Sequence, residues 1–243
     1  MLEVKNISKS FGNTKAVDNV SFYVKEGEIV GLLGENGAGK TTTLRMLATI
    51  LKPTQGTADI DGMDVNKNPA QVRSKIGILF GGDVGLYDRL TARENIKYFA
   101  NLHGIDSKEA DARIDELAKE LNMEDYIDKK VGKFSRGMKQ KVSIARAIVH
   151  YPSVMLFDEP STGLDVSASR MVQDFILKCK KENKTILFSS HSMKEVEKLC
   201  DRVVIINKGK VIEGGTIEKL KNKYGNTDLE EVFISLIGGE SNE

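Results

Sequence analysis

The sequence predicts an α/β protein built on a mainly parallel sheet, on three observations. Five short runs are apolar without alternation: Ile29 to Leu33, Ile76 to Phe80, Val154 to Phe157, Ile186 to Phe188 and Val203 to Ile206. Strands buried on both faces read this way, and they belong to parallel sheets. Helical patterns lie between them: Val172, Phe175, Ile176 and Cys179 recur at i, i+3, i+4 and i+7. The stretch from Thr91 to His150 offers helices and no strand, which predicts a helical subdomain inserted into the α/β core.

The elements follow in order. From Met1 to about Lys25, polar and apolar residues alternate (Leu2, Val4; Val20, Phe22, Val24), which predicts a small antiparallel sheet. In the insert, Thr91 with Glu94 forms a capping box ahead of Ile96, Phe99, Ala100 and His103. Ile114, Leu117, Ala118 and Leu121 make a second apolar stripe, and Met138, Val142, Ala145 and Val149 a third. Ser192 with Glu195 reads as another capping box. Leu229, Val232, Phe233, Leu236 and Ile237 give a final amphipathic helix. The expected division is one domain over 1–243: an α/β core at 1–80 and 151–220, the helical subdomain at 81–150, and a helical tail at 221–243.

Composition excludes some classes. With 40% hydrophobic and 29% charged residues, both a sizeable core and a soluble surface are available. No apolar run approaches the about 20 residues of a membrane span, and the N-terminus lacks a secretory h-region. The net charge of +1 carries no concentrated basic patch, so no nucleic-acid partner is expected. Cys179 and Cys200 both fall on apolar helix faces and read as reduced core thiols in a cytoplasmic protein.

The chemistry begins at Gly34-Glu35-Asn36-Gly37-Ala38-Gly39-Lys40-Thr41, a full G-x-x-x-x-G-K-[ST] loop between a strand and a helix. Its glycines let backbone N–H groups converge on phosphate oxygens at a helix start. Lys40 is expected at the β- and γ-phosphates, Thr41 on Mg²⁺, and Thr42 at the α-phosphate. Asp158 ends the strand Val154 to Phe157, where ligands sit in α/β sheets, and can hold Mg²⁺ through water. Glu159, one residue on, is the best candidate for base or positioner of an attacking water. His191 follows the strand Thr185 to Ser189. A lone histidine is more often structural, but this one ends a strand beside the phosphate site and can reach the γ-phosphate or the water. In Lys133-Phe134-Ser135-Arg136-Gly137-Met138, Ser135 reads as an N-cap opening a second anion-binding helix start, with Gly137 allowing close approach.

Taken in order, these segments make the chain resemble the ATP-binding subunit of ABC transporters over nearly its whole length. Gly34 to Thr42 resembles Walker A, Met155 to Glu159 Walker B with its catalytic glutamate, and Phe134 to Met138 the signature. Ser161 to Asp165 resembles the D-loop, His191 the switch histidine, and Phe11 the aromatic stacked on adenine. The resemblance implies a P-loop, RecA-like core and a head-to-tail dimer with itself or a paralogue. Ser135 and Gly137 of one subunit would then meet ATP held by Lys40 of the other. It also implies integral membrane permease partners and a peripheral place on the cytoplasmic face of the cell membrane. Arg136 and Met138 depart from the usual Leu-Ser-Gly-Gly-Gln. That departure and Leu229-Glu230-Glu231-Val232-Phe233 resemble the export branch. Together with GLLGENGAGKTTTLRMLAT, GILFGGDVGLYDRLTARENI and KTILFSSH, they are most similar to sodium-extruding exporters. Drug or antibiotic export, and a soluble scaffold ATPase such as those for iron–sulfur clusters, are the alternatives.

The strand Ile76 to Phe80 ends in Gly81-Gly82-Asp83, where most of the family carries a glutamine near Mg²⁺ and the water. Either a flexible turn replaces it, its contact passing to water, or Asp83 substitutes near the metal.

Overall fold

The computed structural model describes residues 1–81 and 85–238. The chain opens with two long strands, β1 (Leu2–Phe11) and β2 (Thr14–Val24), paired antiparallel from Leu2↔Val24 to Phe11↔Thr14. β3 (Ile29–Leu33) is buried at every residue and runs through the glycine loop into α1 (Lys40–Leu47). β4 (Gln55–Ile60) then pairs with β1, and the short β5 (Met63–Asp64) with β4. The first sheet therefore has four strands, ordered β2-β1-β4-β5. Its second half was not read from the sequence, because Gln-Gly-Thr-Ala-Asp-Ile presents only Ala58 and Ile60 to the core.

α2 (Pro69–Lys75) leads into β6 (Ile76–Phe80). The helical region follows as α3 (Ala92–Leu102), α4 (Ser107–Glu120) and α5 (Arg136–Ile148). Thr91 makes the expected capping box, accepting from Glu94 N–H while the Glu94 carboxylate accepts from Thr91 N–H. The rest of the core alternates: β7 (Val154–Asp158), α6 (Val166–Lys181), β8 (Thr185–Ser189), α7 (Met193–Leu199) and β9 (Arg202–Asn207). β10 (Lys210–Thr216), α8 (Ile217–Tyr224) and α9 (Leu229–Gly238) close the described chain.

The second sheet is ordered β10-β9-β3-β8-β7-β6, parallel throughout except for β10 against β9. All five apolar runs of the sequence are strands in it. Parallel order puts every strand's carboxyl end on one edge. The register is tight there: Leu32 pairs with Ser189, Ser189 with Asp158, and Asp158 with Phe80. The glycine loop, His191, Glu159 and Gly81 thus leave from adjacent strand ends. One apolar cluster joins a face of this sheet to the helices, and a second joins it to the antiparallel sheet.

Two local readings are corrected. Ser192 does cap α7, but Glu195 does not reciprocate; its carboxylate reaches Ser161 and Ser190. Cys200 stands at the C-cap of α7 in extended backbone rather than within the helix. Both cysteines are buried, and burial pushes their thiols up, Cys179 to about 12. No helix among the described residues is long and apolar enough to cross a membrane.

Candidate functional site

The glycine loop takes its shape from what surrounds it. Gly39 has φ +108°, and a Cβ there would stand 2.6 Å from the Ala16 carbonyl of β2. Only glycine meets both demands. The first sheet thus closes on the loop through Ala16, and the same hairpin carries Phe11, which is half exposed beside the Lys9 ammonium. α1 starts immediately after Gly39 with no acidic residue in its first turn, so its free N–H groups and dipole keep their positive character.

Lys40 is buried at 5% exposure. Its ammonium donates to the carbonyls of Gly34 (2.8 Å) and Glu35 (3.2 Å), and lies 3.6 Å from Glu159 Oε1. An ammonium so held beside a helix start can meet an anion. Thr41 and Thr42 follow on the first turn, both partly buried.

Asp158 is 8% exposed and one of its oxygens accepts from Ser189 Oγ at 2.7 Å. No ion pair holds it among the described residues. A buried carboxylate stabilised by one hydroxyl retains most of its desolvation cost. That donor set, hard oxygens with uncompensated charge next to a phosphate loop, fits Mg²⁺ with Thr41 and Asp158 as its protein partners. Among the described residues no group of three or more His, Cys, Asp or Glu could hold a metal by itself. A cation here would depend on the nucleotide for further oxygens.

Glu159 has left-handed backbone (φ +48°), an uncommon conformation for glutamate and one that accompanies functional loops. Its N–H donates to the Ser189 carbonyl (3.0 Å) and lies 3.1 Å from Ser189 Oγ. The carboxylate then faces three groups at once. Oε1 points to Lys40, while Oε2 lies 3.2 Å from His191 Nδ1 and accepts from Thr162 Oγ1 at 3.4 Å. Lys40, Glu159 and His191, assigned from separate segments, thus meet. From the sequence Ser189 has no assigned role, and Thr162 figures only within the segment that resembles the D-loop. Ser189 matters only through a strand register spanning 31 residues, which no local pattern announces.

The second helix start faces the loop after β7. Ser135 caps α5, its hydroxyl accepting from Met138 N–H at 3.3 Å. Among the described residues nothing crowds Gly137: an added Cβ would meet only Ala168 Cβ, at an ordinary 3.5 Å. Arg136, the departure from the usual signature, donates from Nη1 to the Gly163 carbonyl at 2.7 Å. It ties the signature turn to the loop after β7.

Gly81 is settled by contact. Its N–H donates to the Asp158 carbonyl at 2.7 Å, and a Cβ would fall 2.1 Å from the Glu159 carbonyl. No side chain fits there, so no glutamine could occupy that position without moving the loop. Gly82 and Asp83, and with them the metal role considered for Asp83, lie outside the described residues.

β-Strand order, glycine loop and the converging Lys40, Glu159 and His191 define a P-loop ATP-binding cassette. A family model described as ABC transporter matches residues 17–162, and the chain belongs to that family as an ATP-binding subunit. It is 50% identical over 239 residues to the ABC transporter ATP-binding protein NatA of Bacillus subtilis, covering 97% of each chain. It is 42% identical to the bacitracin transport ATP-binding protein BcrA of Bacillus licheniformis, over 92% of this chain and 72% of that one. Among solved structures, an ATP-binding subunit of an ABC transporter superposes with a TM-score of 0.87 at 31% identity, covering 97% of this chain and 99% of that one. A dimeric ATP-binding cassette bound to ADP and Pi gives 0.80 at 27% identity, over 89% and 99%.

Proposed function

We propose that this chain hydrolyses ATP to drive a membrane exporter, with Glu159 as the base. The meeting of Lys40, His191 and Thr162 on the two oxygens of Glu159 carries the reading. Bound ATP would replace the loop carbonyls as partners of Lys40. Bound Mg²⁺, held by Thr41 and Asp158, would neutralise phosphate charge. Glu159 takes a proton from the attacking water, the water oxygen bonds the γ-phosphorus, and the bond to the β-phosphate oxygen breaks, leaving ADP and phosphate. His191 orients the carboxylate or the γ-phosphate. Phe11 stacks on the adenine.

We assign Ser135 and Gly137 to the ATP of a second subunit. The capped, uncrowded start of α5 supports this, as does the likeness to a dimeric cassette. The cleft of about 600 Å³ beside β6, lined by Phe80, Phe99, Leu102, His103, Arg146 and His150, suits the permease. It is partly apolar and begins on the strand that leads to Gly81. Association with the permease would hold the chain at the cytoplasmic face of the membrane.

For cargo we favour sodium ions, on the resemblance of the Walker A, Gly77 to Ile96 and Lys184 to His191 segments to sodium-extruding exporters. Antibiotic export is the second reading, favoured by 42% identity to a bacitracin transport protein and 34% to a linearmycin resistance protein of Bacillus subtilis. Vesicles carrying the subunit with its permease test both. ATP-dependent sodium efflux is expected; drug movement without sodium movement reverses the choice.

A further inference from the structure

Glu195 occupies a position that its local sequence does not explain. It is the third residue of α7 and only 9% exposed. One carboxylate oxygen accepts from Ser161 Oγ (2.6 Å) and faces Gln173 Nε2 (3.4 Å). The other accepts from Ser190 Oγ (2.8 Å), which itself accepts from Ser192 N–H (3.1 Å). No cation pairs with Glu195 among the described residues. A buried carboxylate without a counter-ion is costly, and it could have folded back on the N-cap of its own helix. It spans two loops instead.

Those loops carry the partners of Glu159. Ser161 precedes Thr162, and Ser190 precedes His191; both neighbours meet Glu159 Oε2. We propose that Glu195 is a positioning residue for hydrolysis: it clamps the loops after β7 and β8 so that Thr162 and His191 converge on Glu159. It touches neither nucleotide nor water and acts through the two serines. A carboxylate suits the task because it offers an acceptor to each hydroxyl at once. Glutamine can keep both contacts only if one serine turns to accept. The inference rests on Glu159 being the base.

Steady-state ATP hydrolysis by the full chain, with nucleotide affinity and thermal midpoint measured alongside, tests it. Glu195→Ala is expected to lower kcat about tenfold or more, with KM for ATP within about twofold, and Glu195→Gln to restore part of the loss. In a Glu159→Gln background, Glu195→Ala should change the residual rate less than about twofold, because the group it positions is gone. If Glu195→Ala fails to fold, Ser161→Ala combined with Ser190→Ala removes only the two hydroxyls and should give the same kcat loss. An unchanged kcat in a folded variant overturns the proposal. So does an equal loss with and without Glu159, which marks a purely structural anchor. Glu159→Gln with near-normal turnover would instead defeat the base assignment beneath it.

Discussion

The two helix starts proposed above to meet ATP differ in completeness. The start of α1 is enclosed by its own chain: Gly39 presses on Ala16, Lys40 is buried, and Glu159 faces it from the end of β7, two strands along the sheet. The start of α5 is capped by Ser135, yet its glycine touches nothing that needs a glycine. On the proposed reading, that difference means that one chain holds half of the ATP site and a second subunit supplies the other half.

The comparison breaks first at the enclosed start. Lys40→Ala is expected to lower hydrolysis on the order of 100-fold or more, read as phosphate release, with weaker nucleotide binding. Unchanged affinity and turnover would contradict the phosphate assignment. Gly137→Asp sharpens the open side: turnover should drop at least about tenfold, while the thermal midpoint stays near wild type, as for a surface change. A large loss of stability would mean that Gly137 serves its own chain. Gly39→Ala should do the reverse and destabilise the fold itself. Left-handed strain and the Ala16 contact together cost at least about 2 kcal/mol, lowering the midpoint by roughly 4–8 °C in a chain of this size.

The last effect, confined to acid pH, concerns the far end of α5, where His150 stacks on His103 with ring centroids 3.6 Å apart. Burial, then the neighbouring His103, lowers the pKa of His150 to about 4, and burial lowers that of His103. Lys184 adds to the lowering, the Ile76 carbonyl opposes it, and Arg73 and Arg146 line the same cleft. The unfolded chain therefore binds the proton first. Stability from this group is complete above about pH 6.5 and is lost as pH falls toward 4, on the order of 3 kcal/mol in all. Chemical denaturation across that range should show a shallower loss for His150→Gln than for wild type. Parallel curves would mean that His150 does not titrate in this window.

Much of this was legible because it is local. Continuous apolar runs gave the parallel strands, and an eight-residue loop with its flanks gave the phosphate site. β5 and β10 escaped because they lie at sheet edges with few buried residues, and β4 because only Ala58 and Ile60 of it are buried. Ser189 escaped because its contact with Asp158 depends on register between two strands. Glu195 was misread because its spacing from Ser192 fits a capping box, and only the fold brings Ser161 and Ser190 nearer. Gly81 looked like a lost side chain. It is instead a position where the Glu159 carbonyl leaves no room for one.

The most direct test of the half-site is the mass of Glu159→Gln in solution, measured by light scattering with saturating ATP. Trapped, unhydrolysed nucleotide should double the mass relative to the nucleotide-free chain, and adding Gly137→Asp should return it to a single chain. A variant that binds ATP with normal affinity yet remains monomeric, or a dimer indifferent to Gly137, would contradict the account.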